Sequence, residues 1–171
     1  MAQPDSDTLR RDVEAHDGIA VLRGGGAGRG WNGISYKTGL SAKNVNARQL
    51  SMNVATIPPG GVAAAHIHVD FEVMLYILAG RVRHEYGPKL EHSIENTAGD
   101  FIFIEPGVPH EVFNASDTDP VVAVVARSDA SEWEHIVPFV KTSGVISSRD
   151  RGAEMTPDVL GRISAEERTR K

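Results

Sequence analysis

Between residues 48 and 127 the chain falls into short β-prone stretches, with turn residues recurring roughly every 8 to 12 positions. The stretches are Gln49–Ile57, Ala64–His68, Phe71–Leu78, Arg81–Tyr86, Phe101–Ile104, Glu111–Asn114 and Val121–Ala126. Between them lie Pro58-Pro59-Gly60-Gly61, Gly80, Gly87-Pro88, Gly99-Asp100, Pro106-Gly107 and Asn114–Pro120. No amphipathic helix of useful length interrupts the series. This rhythm implies an all-β fold, an antiparallel sandwich or barrel, and excludes a sheet built with crossover helices. Phe101–Ile104 and Val121–Ala126 are apolar at both parities. A sheet wetted on one side alternates, so both faces of these strands are expected to be covered, by an N-terminal strand or by the second subunit of a homodimer.

The flanks have a different character. Residues 1–18 are polar, without sustained period, and read as a flexible arm. The run Gly24-Gly25-Gly26-Ala27-Gly28-Arg29-Gly30 lacks a Gly-Lys-Ser/Thr ending and a following helix, so it reads as a connector and not a phosphate loop. Pro157–Lys171 has helix formers but only a thin apolar stripe of Val159, Leu160 and Ile163. The expected organisation is thus an arm at 1–18, a β-barrel domain at 19–140 and a tail, helical in part, at 141–171. The net charge of -5 argues against a nucleic-acid partner. The absence of cysteine removes disulfides, thiolate nucleophiles and Cys-ligated metals. The N-terminus shows no signal peptide and no apolar run approaches a membrane span, so a cytoplasmic protein without membrane contact is expected.

The chemistry concentrates in histidine. His66 and His68 stand two apart in a β-prone segment, so their imidazoles share a face. Glu72 follows four positions later, and His110 opens another strand after a Pro-Gly-Val-Pro turn. Imidazoles plus one carboxylate suit Fe(II), Mn, Ni, Co, Cu or Zn and leave positions for substrate.

The framing of these residues carries a resemblance. Gly60 to Gly80, GGVAAAHIHVDFEVMLYILAG, is similar to the first motif of the cupin superfamily: Gly, five residues, His-x-His, three or four residues, Glu, six residues, Gly. Gly99 to Asn114, GDFIFIEPGVPHEVFN, is similar to the second: Gly, five residues, Pro-x-Gly, two residues, His, three residues, Asn. Gly60, His66, His68 and Glu72 fit the first spacing; Gly99, Gly107, His110 and Asn114 fit the second. The chain most resembles small single-domain RmlC-like cupins. It departs in two places. Glu72 and Gly80 enclose seven residues where the general pattern has six, implying a longer strand or a bulge, and a one-residue slip reverses a side chain's face. Glu105 replaces the proline expected before Pro106-Gly107. The resemblance implies a double-stranded β-helix, the cupin jelly-roll barrel, around one divalent transition-metal ion (Fe(II) favoured; Mn, Ni, Co, Cu or Zn as alternatives) held by His66, His68, Glu72 and His110.

If Glu72 faces inward, Met74, Tyr76 and Leu78 share its face. The inward set after His110 is Val112 and Asn114, and the apolar parity before the first motif is Leu50, Met52 and Val54. The expected substrate contacts are therefore Leu50, Met52, Val54, Met74 and Val112, in an apolar cavity suited to a small hydrophobic or aromatic molecule. Tyr76 and Glu72 are the candidate proton carriers, although a barrel tyrosine more often packs its ring. Arg81, Arg83 and His84 read as a solvated face from which one group could still meet a substrate carboxylate. Three functions compete: an Fe(II)-dependent dioxygenase; a redox-neutral isomerase, lyase or decarboxylase using Mn, Ni, Co or Zn; and a non-catalytic small-molecule-binding cupin.

Overall fold

The structure, a computed structural model, describes residues 10–24, 28–131 and 135–141. The chain divides into two compact units, 1–140 and 141–171. Apart from Lys141 the second unit, with the expected helical tail, lies outside the described residues.

The first unit is built almost entirely of strands. In chain order they are β1 (Val13–His16), β2 (Ile19–Leu22), β3 (Gly28–Trp31), β4 (Ile34–Leu40), β5 (Ser51–Ile57), β6 (Val62–His68) and β7 (Val73–Ala79). They continue as β8 (Arg81–Tyr86), β9 (His92–Thr97), β10 (Phe101–Ile104), β11 (His110–Asn114), β12 (Val121–Arg127) and β13 (Ile136–Pro138). One short helix, α1 (Ala42–Val45), is closed by a capping box in which the Ser41 hydroxyl accepts from the Lys43 amide and the Asn44 side chain accepts from the Ser41 amide. Every pairing is antiparallel. A six-stranded sheet has the order β10-β7-β12-β5-β4-β3 and a five-stranded sheet the order β13-β6-β11-β8-β9. A jelly-roll barrel follows, as the turn rhythm requires.

Three features were not legible beforehand. β1 and β2 form a hairpin (Val13↔Leu22 to His16↔Ile19), so part of the expected arm is ordered into strand. Gly28–Trp31, at the end of the glycine run, is the outermost strand of the large sheet and pairs with β4. β9, of sequence His-Ser-Ile-Glu-Asn-Thr, is mostly exposed and lacks the apolar alternation that would announce it.

The core lies between the sheets, where Ile34, Tyr36, Ala55, Ile57, Ala63, Phe71, Val73, Ile77, Val82, Val121, Ala123 and Val125 are buried together. β12 shows the inward parity most clearly, with Val121, Ala123, Val125 and Arg127 buried and the residues between them half-buried. The expectation that both faces of the apolar strands are covered does not hold within one chain. On the outer face of the large sheet Phe101 is 82% exposed, and Met52, Met74, Leu78 and Phe103 are exposed too.

Candidate metal centre

His66 and His68 end β6 and His110 opens β11, the two strands being paired with His110 opposite His66. Between that pair and the next (Val112 opposite Ala63) the register shifts, β6 holding one residue more than β11. The shift lets Ala63 and His66 both face inward although they are three apart. The turn of the second motif docks on the first: the Gly107 amide donates to the His68 carbonyl at 2.7 Å. Gly107 takes φ +78°, which a glycine adopts without strain.

The three imidazoles form one buried cluster, with ring centroids 4.3–5.1 Å apart. Their ligand atoms lie within 4.8 Å of one another. Small χ rotations would bring them to the ~2.0–2.1 Å that an imidazole nitrogen keeps from zinc. The tautomers are fixed by geometry. His66 Nδ1 donates to the Ala64 carbonyl at 2.8 Å and His110 Nδ1 to the Val108 carbonyl at 2.9 Å, so each neutral ring turns an Nε2 lone pair away from that bond. His68 stacks on Phe71 at 5.0 Å, and its buried Nδ1 has no hydrogen-bond partner. Burial, then the neighbouring His110, push His66 down to about 3, and burial followed by His110 and His66 pushes His68 to about 2. Burial also lowers His110. Neutral imidazole is the form that binds a metal, so the donor set fits a divalent ion.

Glu72 is not among these groups. It is exposed, at the entry to β7, with its amide donating to the Ser128 hydroxyl. The cause is the seventh residue before Gly80. Pairing of β7 with β12 shifts register between Ile77 and Ala79, so Leu78 is the extra residue of a bulge. Upstream of it Val73, Leu75 and Ile77 turn inward and Met74, Tyr76 and Leu78 outward. Counted back from Gly80 with the general spacing, the carboxylate position is occupied by Val73, which lines the cavity beside the histidines. The metal centre read among the described residues is therefore three histidines without a carboxylate.

An inner cavity of about 60 Å³ is lined by the three histidines and, among others, Tyr36, Val73, Leu75, His84, Val112 and Arg127. Of the expected contacts only Val112 lies there. Met74 is 54% exposed, and Leu50 and Met52 are 63% and 51% exposed. Val54 is half-buried on the outer parity of β5, because the inward residues of that strand are Ser51, Asn53, Ala55 and Ile57. Tyr76 packs on Phe101 outside the cavity, 4.6 Å between centroids. The buried phenol is Tyr36, 4% exposed. Asn114 is buried but structural: its amide donates to the carbonyls of Ile57, Pro58 and Asp119. Arg81 and Arg83 pair with Glu95 and Glu85 on the surface.

Two groups escaped the sequence reading. His84 turns inward, 4% exposed, and burial with His110 nearby lowers it to about 4. Arg127, 3% exposed, ends the inward row of β12, near enough to bias both His66 and His68 electrostatically. A second cavity of about 410 Å³ lies where the free edges of the two sheets, β10 and β9, face each other. It shares His84, Ile104 and His110 with the inner one, so this seam leads to the histidines.

The Cupin domain family model matches residues 53–127, the segment that contributes all three histidines and Arg127. Residues 53–127 are a small cupin domain. Solved structures agree on the fold. A conserved protein with a double-stranded β-helix domain from Klebsiella pneumoniae aligns at TM-score 0.54 and 19% identity, over 66% of this chain and 90% of that one. Oxalate oxidase in complex with the substrate analogue glycolate aligns at TM-score 0.50 and 25% identity, over 62% of this chain and 55% of that one. A Lactobacillus farciminis oxalate decarboxylase formate complex aligns at 0.56 and 18%, over 66% of this chain and 33% of the enzyme. This cupin domain thus corresponds to about half of the oxidase chain and a third of the decarboxylase chain. No curated protein sequence matches the chain. Among the described residues no helix is long and apolar enough to cross a membrane.

Proposed function

We propose that this cupin is a metal-dependent enzyme acting on a small organic molecule, and that its reaction is an Fe(II)-dependent oxidation by O₂. One observation carries the reading: three buried, neutral imidazoles with orientations fixed by backbone carbonyls converge on an enclosed cavity. A three-nitrogen set on a borderline metal leaves positions for substrate and a second ligand. A divalent ion held by His66, His68 and His110 supplies Lewis acidity and, as Fe(II), one-electron chemistry. The chain does the rest. Val73, Leu75, Ile77 and Val125 exclude water, and Tyr36 and His84 are placed to hold or pass a proton. The inner volume is well below the roughly 150 Å³ that accommodates benzene. That favours a substrate of a few heavy atoms over the aromatic molecule expected from sequence. The resemblance to oxalate oxidase supports a redox reaction on such a molecule.

The test is oxygen uptake by protein purified anaerobically and loaded with Fe(II), screened against small organic acids, alcohols and ketones, beside elemental analysis. Uptake that follows Fe(II) content supports the proposal. Turnover with Ni, Zn or Mn and no oxygen uptake replaces it with a redox-neutral isomerase, lyase or decarboxylase. Ligand binding that survives complete metal removal, with no turnover, leaves a binding protein.

A further inference from the structure

We infer that the substrate carries a carboxylate and that Arg127 anchors it, with Ser51 and Asn53 forming the rest of a polar corner beside the histidines. The inference deepens the enzymatic reading and rests on it only for what happens next to the metal. Its basis is a polar patch on two neighbouring strands whose inward faces are otherwise apolar. Arg127 stands directly opposite Ser51 in the β12–β5 pairing, and Val125 opposite Asn53, with no register shift along that ladder. Cross-strand neighbours on one face have Cβ atoms about 4.5–5.5 Å apart. The guanidinium, the hydroxyl and the amide therefore occupy adjoining inward positions.

Ser51 and Asn53 are each 2% exposed, and the Ser51 hydroxyl and both polar atoms of the Asn53 amide lack a hydrogen-bond partner. Buried polar groups are almost always satisfied, and leaving one unsatisfied costs about 1–3 kcal/mol. Three such atoms beside a buried guanidinium describe a surface made to be completed by a ligand with acceptor oxygens. Charge points the same way. Three neutral imidazoles leave a bound divalent ion with its full double charge, and the cavity wall adds one guanidinium and, among the described residues, no carboxylate. A small anion answers both charges, and a planar carboxylate matches the paired N–H donors of arginine.

The probe is acetate, with acetamide as its neutral isostere and inorganic phosphate as a second anion, titrated into metal-free and Zn-loaded full-length protein. Binding is read by calorimetry and by the ¹⁵N–¹H signals of the arginine side chains. Acetate is expected to bind at least 10-fold more tightly than acetamide and to shift one slowly exchanging arginine Nε–H signal. Arg127→Gln should lose at least 10-fold in acetate affinity with zinc stoichiometry unchanged, and Arg127→Lys should lose less. Acetamide binding as well as acetate, an Nε–H spectrum indifferent to acetate, or Arg127→Gln binding acetate normally would each overturn the inference. So would phosphate binding more tightly than acetate. The wild-type arms decide the matter even if Arg127→Gln does not fold. Failure of the metal reading is separate: wild type would take up no metal while acetate still bound through Arg127.

Discussion

At the scale of single residues, the face a side chain presents decides its role more than its identity does. Glu72 has the right chemistry for a ligand and the wrong orientation; Val73 has the orientation and no chemistry. Glu72→Gln is therefore expected to leave metal uptake at the wild-type level, whereas His110→Ala should weaken it by more than about 100-fold, as equilibrium dialysis with Zn or Co would show. Unchanged uptake in the histidine variant would remove the centre described above. The buried imidazoles also set the response to acid. Unfolded histidine titrates near 6.5, whereas His84, His66 and His68 fall to about 4, 3 and 2 in the fold. Between those values the unfolded chain binds more protons, so their contribution to stability is complete above about pH 6.5 and is lost as pH falls towards 4 and below. The melting temperature of metal-free protein should decline steadily from pH 7 to pH 4. A flat profile would mean that these rings are solvated.

The histidine pair was legible because alternation along a strand is a local property of period two. Arg127, Ser51 and Asn53 were not, because the reading assigned the inner face to whichever parity was more apolar. In β5 that rule inverts: Leu50, Met52 and Val54 lie on the outer parity while the polar residues turn inward. β12 offers no clue either, since valine and alanine fill both of its faces.

At the scale of elements, the site depends on two connections. The turn Asn32-Gly33 joins β3 to β4 as a two-residue hairpin with both residues at positive φ, +51° and +78°. Its tip holds the ligand strand. Asn32 Nδ2 donates to the Ala64 carbonyl at 2.6 Å, the same carbonyl that orients His66, and Trp31 meets the His66 ring edge-on at 5.5 Å. A Cβ on Gly33 would run into the Val62 carbonyl. Gly33→Ala combines left-handed strain with that collision and should cost roughly 2–4 kcal/mol in urea unfolding. It should also weaken metal binding, since β6 must yield to it. A loss of stability with metal affinity intact would show that the hairpin supports the barrel but not the ligands. The seven expected strands all occur, because their boundaries are written in glycine and proline. The β1–β2 hairpin and β9 went unseen because little of their surface is buried, and burial is what imprints a period on a sequence.

At the scale of the whole molecule, the outer face of the large sheet remains to be explained. Met52, Met74, Leu78, Phe101 and Phe103 come from four strands and none carries charge. An aromatic that is 82% exposed, on a face of this breadth, is unusual for a lone subunit. The homodimer expected from sequence is our proposal for its partner, a second copy supplying an equally apolar surface. Light scattering should then give a mass twice that of the 171-residue chain, and Phe101→Asp with Met74→Lys should halve it while leaving metal uptake alone. A wild-type mass of one chain at all concentrations would end that proposal.

The bulge at Leu78 has a consequence beyond the loss of one ligand. β7 reads Val-Met-Leu-Tyr-Ile-Leu-Ala, greasy on either parity, so both of its faces are able to serve as barrel lining. Shortening it by a single codon would slide Glu72 into the slot of Val73 without placing a polar group anywhere else inside. The denticity of this centre, and with it the charge of whatever ion it takes, is set by the length of one strand.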